Sequence, residues 1–424
     1  MRYVIIGNGV AGVTAADAMR RLDPEGSITF IARENFSPYC RPMISNILAG
    51  TAELDELPIR SDDYYDALGA RALPGIEATG VDTGRREVAT SNGTTVPYDR
   101  LLIASGADPR RIDAENLELE NIFFMRTVQE VLGMVRALPD TEHALVLGGG
   151  LVGFKAAYGF LNRGKKVTML IRSGYPLSFQ VDETAGGIIQ SELERYGLEV
   201  RTGVEVTAFE GDESGRVRGA TLSDGTSMDC DIVVVGKGVF PARSYLGQEF
   251  QTGAGILVND YLTTSVPDVW AAGDIAEHRD VARRRPWLNP IWPVAVEMGR
   301  VAGSNMAGHP MRYPGSLSRN VIRIFGIDVL TAGIVSPRES EGRRTVSHRD
   351  ARRNTYRKLL LDDEGILVGF VLVNDIEQGG VLMNMVRDRR WLNGLAERAL
   401  GPHFNVGQVI DTAYSSGGSP ALVR

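Results

Sequence analysis

The apolar and polar positions near the N-terminus predict a strand, a turn, a helix and a second strand, in that order. An apolar run at residues 3–6 leads into three spaced glycines within 7–12, a helical pattern at Val13–Leu22 and a second apolar run at Ser27–Ile31. This order is typical of the first βαβ unit of a dinucleotide-binding fold.

The same order recurs in the middle of the chain. An apolar run at residues 144–147 precedes glycines within 148–153, a helix to about Arg163 and a strand at 166–171. In such a turn the first glycine permits the sharp bend, the second lets the backbone approach a pyrophosphate, and the third lets the helix pack close to the strand. The helix start presents free N–H groups to the anion. One glycine turn is weak evidence, but two in matched contexts predict two dinucleotide sites.

These repeats predict an α/β fold with two Rossmann-like dinucleotide-binding domains, for FAD and NAD(P), and a C-terminal α+β interface domain. We expect a discontinuous first domain at 1–112 and 242–317, a second domain at 113–241 and a third at 318–424.

The third domain is expected to contain alternating strands at 320–335 and 356–373 and a helix from about residue 379. The tail at 415–420 lacks the apolar content of a packed element, so we expect it to be mobile or bound to a partner.

Composition narrows the class of function. The 424 residues are 43% hydrophobic and 23% charged, with a net charge of −7. This acidic balance disfavours binding to nucleic acid or to an anionic membrane. No apolar run approaches the roughly 20 residues that span a bilayer. The first residues lack the layout of a signal peptide, so we expect a cytoplasmic protein.

The two cysteines, Cys40 and Cys230, lie far apart in the sequence. They form neither a CxxC pair nor the ligand set of a zinc or iron–sulfur site. We therefore expect no bound metal and assign any redox chemistry to an organic cofactor.

Several motifs carry a resemblance to a known family. They are GNGVAG at 7–12, LLIASGADPR at 101–110, VLGGGLVG at 146–153, DIVVVGKGV at 231–239 and TSVPDVWAAGDIAE at 264–277. In this order they resemble the FAD-dependent pyridine nucleotide–disulfide oxidoreductase superfamily. The segment Pro38–Ser45 is similar to the branch that contains NADH:rubredoxin reductase, ferredoxin reductases and the flavin part of assimilatory nitrite reductase.

The resemblance implies where FAD binds. The first glycine turn would hold the pyrophosphate, Glu34 the adenosine ribose and Asp274 the ribityl chain. A helix that starts at 291–295 would face the pyrimidine edge of the flavin, where its dipole stabilises negative charge. The residues implied for FAD are Gly7, Gly9, Val10, Ala11, Gly12, Glu34, Arg41, Pro42, Ala104, Ser105, Gly106, Gly273, Asp274, Pro293, Val294 and Ala295.

The second glycine turn would hold the nicotinamide nucleotide. The residues implied for it are Gly148, Gly150, Leu151, Val152, Gly153, Gly236 and Arg172. Arg172 occupies the position at which NADPH-using relatives bind the 2′-phosphate. No second such arginine follows, and a surface charge without this role is an equally good interpretation of Arg172. The branch resemblance favours NAD(H) over NADP(H).

Lys155 departs from the family pattern. Many members carry glutamate two residues past the last glycine of the second turn, and ferredoxin-reductase-like members pair it with a lysine where this chain has Asn46. We expect Lys155 to be a catalytic cation beside the isoalloxazine, because a positive charge there favours the anionic reduced flavin. The alternative is a solvent-facing lysine without such a role.

Cys40 is the second candidate catalytic residue. In coenzyme A disulfide reductases and in NADH oxidases or peroxidases, a cysteine near this point is the redox partner of the flavin. Alignment on Pro42 puts that position at Tyr39. Those oxidases and peroxidases also place a histidine in the first glycine turn, where this chain has Val10. A buried thiol without a redox role is the alternative.

The favoured function is reversible electron transfer through FAD between NAD(P)H and a protein electron carrier. The carrier would be rubredoxin, a ferredoxin or an iron–sulfur subunit of a larger complex such as a 2-oxoacid oxidoreductase. The chain would be a homo-oligomer or a subunit of such a complex. The alternatives are a thiol-based disulfide or persulfide reductase that uses Cys40, and a non-enzymatic flavin redox sensor. Arginine clusters at 283–285, 352–353 and 387–390 could steer an acidic carrier, although such runs are usually solvated faces.

Overall fold

The structure is a computed structural model that describes residues 1–392, 394–401 and 404. The tail predicted at 415–420 therefore lies outside the described residues. Within the described part of the chain, no helix combines the length and the apolar character that a membrane crossing requires.

The strands are, in chain order, β1 (Arg2–Ile6), β2 (Ser27–Ala32), β3 (Ala70–Pro74), β4 (Ala78–Asp82), β5 (Glu87–Thr90), β6 (Thr95–Pro97), β7 (Arg100–Ile103), β8 (Ala107–Pro109), β9 (Ile122–Phe123), β10 (His143–Leu147), β11 (Lys166–Ile171), β12 (Glu199–Thr202), β13 (Val206–Gly211), β14 (Val217–Leu222), β15 (Ser227–Asp229), β16 (Ile232–Val235), β17 (Val239–Pro241), β18 (Ile256–Leu257), β19 (Val269–Ala271), β20 (Ala276–Arg279), β21 (Pro286–Trp287), β22 (Arg319–Ile324), β23 (Ile327–Gly333), β24 (Arg344–Asp350), β25 (Thr355–Leu361) and β26 (Leu367–Val373).

The α-helices are α1 (Val10–Leu22), α2 (Ile44–Ala49), α3 (Tyr64–Ala67), α4 (Val128–Ala137), α5 (Leu151–Asn162), α6 (Glu183–Arg195), α7 (Trp292–Met306), α8 (Pro337–Ser340), α9 (Gly379–Arg387) and α10 (Ala396–Ala399). Short 3₁₀ helices lie at Arg41–Met43, Leu54–Glu56, Leu138–Asp140 and Gly273–Ile275. The chain divides into two compact units, a larger one of residues 1–170, 204–280 and 285–316, and a smaller one of residues 171–203, 281–284 and the described residues from 317 on.

A parallel sheet with the order β3-β2-β1-β7-β19 forms the first core of the larger unit. Ile6 pairs with Ile31 on one side and with Ile103 on the other, so three strands end at the same edge. Nearly every residue of β1 is buried, as expected of a parallel strand covered on both faces. The predicted succession of strand, glycine turn, helix and strand is present at β1, α1 and β2, and the α/β fold is confirmed.

The helices α1 and α7 pack against each other through glycines. A Cβ atom at Gly299 or Gly303 would overlap with the backbone carbonyl oxygen of Ala11 or Ala15. Only glycine permits this approach of two helix backbones. The close contact holds the start of α7 beside the start of α1.

The second parallel sheet repeats the arrangement. Within the larger unit its strands have the order β11-β10-β16-β9. Leu147, at the end of β10, pairs with Leu170 and with Val235. The larger unit also contains two antiparallel three-stranded sheets, β4-β5-β6 and β13-β14-β15, which the periodicity did not predict.

An antiparallel sheet with the order β22-β23-β26-β25-β24 dominates the smaller unit. The central strands β25 and β26 are buried almost throughout, and α9 covers one face of the sheet. The strands expected at 320–335 and 356–373 and the helix from about 379 are present. The sequence did not predict β24, because its positions are mostly polar and exposed.

One helix boundary was predicted too late. The helical pattern was expected from Val13, whereas α1 begins at Val10 with Gly9 as its N-cap. The first helical turn lies inside the glycine motif and therefore shows no amphipathic period, so the pattern becomes visible only after Gly12.

A buried ion pair joins the sheet of the smaller unit to α6. Asp182 caps α6 by accepting from the amide of Ala185, and its other oxygen accepts from Tyr356 at 2.7 Å and from Lys358 at 2.8 Å. Burial alone would raise the pKa of Asp182, but these hydrogen bonds outweigh it and lower the pKa below its usual value. The lowered pKa means that the ionised carboxylate stabilises the folded chain.

We expect Asp182→Asn to destabilise the chain by about 3–5 kcal/mol at pH 7, because the variant leaves the Lys358 ammonium buried without its counter-charge. Tyr356→Phe removes one neutral donor and should cost only about 1 kcal/mol. Asp182 makes its full contribution to the free energy of unfolding above about pH 3.9, the pKa of an aspartate in the unfolded chain. This contribution disappears as the pH falls through the lower pKa that Asp182 has in the folded chain. Urea unfolding at pH 7 and pH 3.5 measures both effects. Equal, small losses in the two variants would show that the ion pair contributes nothing.

Candidate cofactor site

The three glycines of the first turn differ in what a Cβ atom at each position would meet. Gly7 has a φ of 106°, and a Cβ atom there would overlap with the carbonyl oxygen of Ala104. A Cβ atom at Gly12 would overlap with the carbonyl oxygen of Gly7. A Cβ atom at Gly9 would meet no atom within 4 Å. The first and third glycines are therefore required by the fold, whereas the second faces open space.

The second turn reproduces this geometry. Gly148 has a φ of 107°, and a Cβ atom there would lie 2.5 Å from the carbonyl oxygen of Gly236. A Cβ atom at Gly153 would overlap with the carbonyl oxygen of Gly148, and one at Gly150 would meet nothing within 4 Å. Open space at the middle glycine is what a bound pyrophosphate requires, so both turns fit a dinucleotide.

The helices that start at the expected cofactor sites have no side-chain caps. The N-cap residues Gly9, Gly150 and Ile291 of α1, α5 and α7 supply no capping hydrogen bond, and no acid lies in the first turn of these helices. By contrast, Thr127 and Asp182 cap α4 and α6. The first N–H groups of a helix need acceptors. The uncapped starts leave those donors for an anionic or electron-rich ligand.

Gly273 and Asp274 lie at the start of α1 and α7. Gly273 has a φ of 80°, and a Cβ atom there would lie 3.1 Å from the Cβ of Ala11 and 3.7 Å from that of Ala295. The next residue, Asp274, accepts a hydrogen bond from Arg126 at 3.0 Å. The structure thus brings the first turn, Asp274 and the start of α7 together, as the resemblance implied.

Arg126 is a site residue that the sequence analysis missed. Its Nε donates to the carbonyl oxygen of Ala107, and its guanidinium lies 3.7 Å from where a Cβ of Gly106 would be. Glu130 accepts from the amide of Arg126 and also from the amide of Thr127, and the second bond belongs to the capping box of α4. The only signal in the sequence was this box, Thr127 followed by glutamate three residues later.

Glu34, expected to hold the adenosine ribose, already has two partners. Its carboxylate accepts from the hydroxyl of Tyr39 at 2.7 Å and from the guanidinium of Arg41 at 2.5 Å. Arg41 also donates to the carbonyl oxygen of Arg126. Each carboxylate oxygen has a second acceptor position, so a ribose hydroxyl can still donate to Glu34.

Lys155 contacts the segment that the resemblance assigns to the flavin. Its ammonium donates to the carbonyl oxygen of Pro42 at 2.9 Å. Further along α5, Asn162 donates to Ala49, and Arg163 donates to Ile47 and Leu48. These bonds hold α2 and the residues before it against α5. Burial lowers the pKa of Lys155, and the nearby Cys40 opposes this effect.

Cys40 is a free, half-buried thiol next to this contact. Burial raises its pKa, although the amide of Met43 and the ammonium of Lys155 both act to lower it. The thiolate, which is the reactive form, is therefore a minor species at neutral pH. The other cysteine, Cys230, is fully buried, and its pKa is raised to about 12 by burial and neighbouring aspartates. Neither environment favours a nucleophilic thiol.

Every residue implied for FAD lies in the larger unit, as do Gly148, Gly150, Leu151, Val152, Gly153 and Gly236 of the second turn. Ser105 donates to the carbonyl oxygen of Ala242, which fixes the strand end beside Gly106. Arg172 belongs to the smaller unit and is exposed. Its role in nucleotide choice stays a prediction.

Two family models match the chain. The model described as pyridine nucleotide-disulphide oxidoreductase matches residues 1–299, and the model described as rubredoxin NAD+ reductase C-terminal domain matches residues 319–390. The chain belongs to the pyridine nucleotide-disulphide oxidoreductase family. Membership confirms the predicted class, an FAD-dependent oxidoreductase.

The chain is similar to proteins of different size. It is 30% identical over 414 residues to the NADH-dependent phenylglyoxylate dehydrogenase subunit epsilon of Aromatoleum evansii. The matched region covers 96% of this chain and 97% of the relative. It is 30% identical over 390 residues to nitrite reductase [NAD(P)H] of Bacillus subtilis, covering 91% of this chain but 47% of the relative. The chain thus spans about half the length of that nitrite reductase.

A solved structure supports the fold. The covalent complex of putidaredoxin reductase and putidaredoxin matches with a TM-score of 0.87 and 24% identity, covering 98% of this chain and 99% of that chain. At this identity the likeness shows the fold alone.

The middle glycines provide a test of the two sites. Gly9→Val and Gly150→Val should both fold, because no atom lies within 4 Å of either Cβ and both residues have φ values that valine can adopt. Gly9→Val should be purified without FAD, whereas Gly150→Val should keep FAD and show at least about a tenfold higher KM for the nicotinamide nucleotide. Flavin absorbance and steady-state kinetics measure these effects.

Gly12→Val is the matched control for this test. Its side chain would collide with the backbone of Gly7, so this variant should fail to fold, while Gly9→Val keeps a native circular dichroism spectrum. Full flavin content in Gly9→Val would contradict the assignment of the first turn to FAD.

Lys155 is expected to raise the midpoint potential of the bound flavin. Lys155→Glu should lower this potential, because it replaces a cation with an anion close to the reduced ring, and Lys155→Met should lower it less. At an effective dielectric constant near 20 and a separation of about 6 Å, each unit charge contributes roughly 3 kcal/mol before screening. A change of about 1.4 kcal/mol corresponds to roughly 30 mV for a two-electron couple. A redox titration with Lys166→Glu, on an exposed strand end, as the control measures the shift. An unchanged potential in both Lys155 variants would leave Lys155 without a flavin role.

Proposed function

We propose that the chain moves electrons between NAD(H) and a protein electron carrier through FAD. The observation that supports this proposal best is the pair of matched glycine turns, each open at its middle glycine, within one compact unit. FAD at the first turn would supply the conversion of a two-electron hydride into single electrons. The nucleotide would lie at the second turn.

In this proposal the chain binds and orients the two cofactors. The helix starts of α1 and α5 would donate N–H groups to the pyrophosphates, and Asp274 and Glu34 would accept from sugar hydroxyls. Arg126 would hold Asp274 in place through the ion pair between them. The contact of Lys155 with Pro42 would fix the flavin segment to the helix that starts at the nucleotide. The domain boundaries at 112, 242 and 318 remain part of this proposal.

The choice of NAD(H) is supported by a relative. The phenylglyoxylate dehydrogenase subunit, which covers almost the whole chain, is named as NADH-dependent. The alternative, NADP(H), depends on whether Arg172 reads a 2′-phosphate.

The carrier is proposed to be rubredoxin, a ferredoxin or an iron–sulfur subunit of a larger complex. The match of residues 319–390 to the C-terminal domain of rubredoxin reductases supports the first of these carriers. The phenylglyoxylate dehydrogenase subunit epsilon supports a place in a larger complex, because this relative is named as a subunit and matches 96% of the chain. We also propose a cytoplasmic location, since NAD(H) is an intracellular substrate and both cysteines are free thiols.

The purified chain should oxidise NADH with ferricyanide as a one-electron acceptor, and Cys40→Ser should keep at least about half of the rate. This outcome is expected because burial keeps the Cys40 thiol protonated. Stopped-flow absorbance of the flavin and steady-state NADH oxidation measure it, with Gly150→Val as the control that should raise the KM for NADH.

Other outcomes would point to the two alternative functions. Abolished turnover in Cys40→Ser, with FAD retained, would support a thiol-based disulfide or persulfide reductase. A chain that binds FAD and NADH but shows no sustained turnover with ferricyanide would support a redox sensor.

A further inference from the structure

The arginine clusters of the chain differ in what they contact. The Arg283 side chain is only 5% exposed and forms an ion pair with Glu339 at 2.7 Å. Arg389 is 22% exposed and donates to Asp362 at 2.8 Å. These two arginines have internal partners, so the clusters that contain them contribute less free charge than the sequence suggests. The cluster around residues 349–353 is different.

Residues 349–353 lie at the tip of the hairpin formed by β24 and β25. Arg349, Arg352 and Arg353 are all exposed. Among the described residues, none accepts a hydrogen bond or ion pair from the side chain of Arg349 or Arg352, and Arg353 lies 3.9 Å from Asp350 with 77% of its side chain exposed. We call Arg349, Arg352 and Arg353 the hairpin arginines.

Two acidic residues near the hairpin are mostly buried. Glu192 accepts from Asn354 in the turn at 2.8 Å and is only 12% exposed, whereas its ion-pair partner Arg195 is 68% exposed. Asp182 is 14% exposed and forms an ion pair with Lys358. These two carboxylates bond to groups of their own unit, and the acid of the hairpin itself, Asp350, is 36% exposed. Three exposed arginines against one partly exposed carboxylate give the tip of the hairpin a positive charge.

The tip of the hairpin is held in one geometry. Asp350 accepts from the amides of Arg352 and Arg353, which fixes the turn. Asn374 donates to the carbonyl oxygen of Asn354 at 2.8 Å. A surface that is ordered before binding loses less conformational entropy on association. In addition, β24 is an edge strand, so its outer backbone groups are not paired within the sheet.

We propose that the hairpin arginines dock the acidic face of the iron–sulfur carrier with which the chain exchanges electrons. This inference rests on the proposed function. The chain carries a net charge of −7, which repels an acidic partner at long range, so productive encounters need a local cationic surface that orients the partner. Arginine suits this role because its guanidinium binds a carboxylate through two parallel hydrogen bonds.

The double variant Arg349→Glu/Arg352→Glu tests the proposal with an acidic rubredoxin as the probe. We expect its KM for rubredoxin to rise at least about tenfold at roughly 0.03 M salt and to approach the parent value at about 0.5 M salt, where charges are screened. The rate of NADH oxidation with ferricyanide should not change, and the rate with cytochrome c, a basic acceptor, should not fall.

Arg85→Glu/Arg218→Glu is the matched control. It makes the same change in net charge at two exposed arginines of other sheets, and its KM for rubredoxin should stay within about twofold of the parent value. Equal KM values in the two double variants would overturn the proposal, as would a loss that does not depend on salt.

The remaining outcomes separate the inference from the function on which it rests. A parent chain that reduces ferricyanide but not rubredoxin overturns the docking proposal, whereas a parent chain that reduces neither overturns the proposed function itself. Binding of a fluorescent oligonucleotide that is lost in Arg349→Glu/Arg352→Glu, with an unchanged KM for rubredoxin, would assign the hairpin to nucleic acid instead.

Discussion

In both turns that we propose as cofactor sites, the helix backbone comes very close to the carbonyl group of the first glycine of the turn. At Gly12 and Gly153 the helix backbone lies so near the carbonyl oxygens of Gly7 and Gly148 that no Cβ atom fits. This constraint sets the direction in which α1 and α5 leave their strands. It also directs the helix starts, with their free N–H groups, toward the ends of the parallel strands. The open space at the middle glycines follows from the same arrangement.

Other parts of the larger unit contact these two helices. The helix α7 packs on α1 at Gly299 and Gly303, and Gly273 lies between the starts of the two helices. On the other side, α5 holds α2 and Pro42 by hydrogen bonds from Lys155, Asn162 and Arg163 to backbone carbonyl oxygens. The segment assigned to the flavin is therefore bonded to the helix assigned to the nucleotide. A hydride transfer between two cofactors depends on such fixed positioning, because small displacements of the reacting groups are costly.

The sequence revealed those features whose physical cause is local. Glycine spacing and apolar strands could be predicted, since each depends on the residue types of a short stretch, whereas the start of α7 was expected only from the family resemblance. Arg126 could not, because its partner Asp274 lies 148 residues further along the chain. The partner of Lys155 is a backbone carbonyl 113 residues away, and no residue type in the sequence predicts such a contact. The strand β24 was missed for a related reason, since an edge strand with two exposed faces has no apolar period.

The distribution of charge in the smaller unit shows a limit of arguments from composition. A net charge of −7 predicts an acidic surface on average, and on that basis binding to anionic partners is disfavoured. Yet Asp182, Glu192, Glu339 and Asp362 are all mostly buried and bonded to groups of their own unit. A carboxylate that is buried and paired contributes little to the field outside the protein, whereas an exposed arginine contributes its full, screened charge. These four carboxylates are mostly buried while the hairpin arginines are exposed, so a chain that is acidic in total can still present a cationic hairpin.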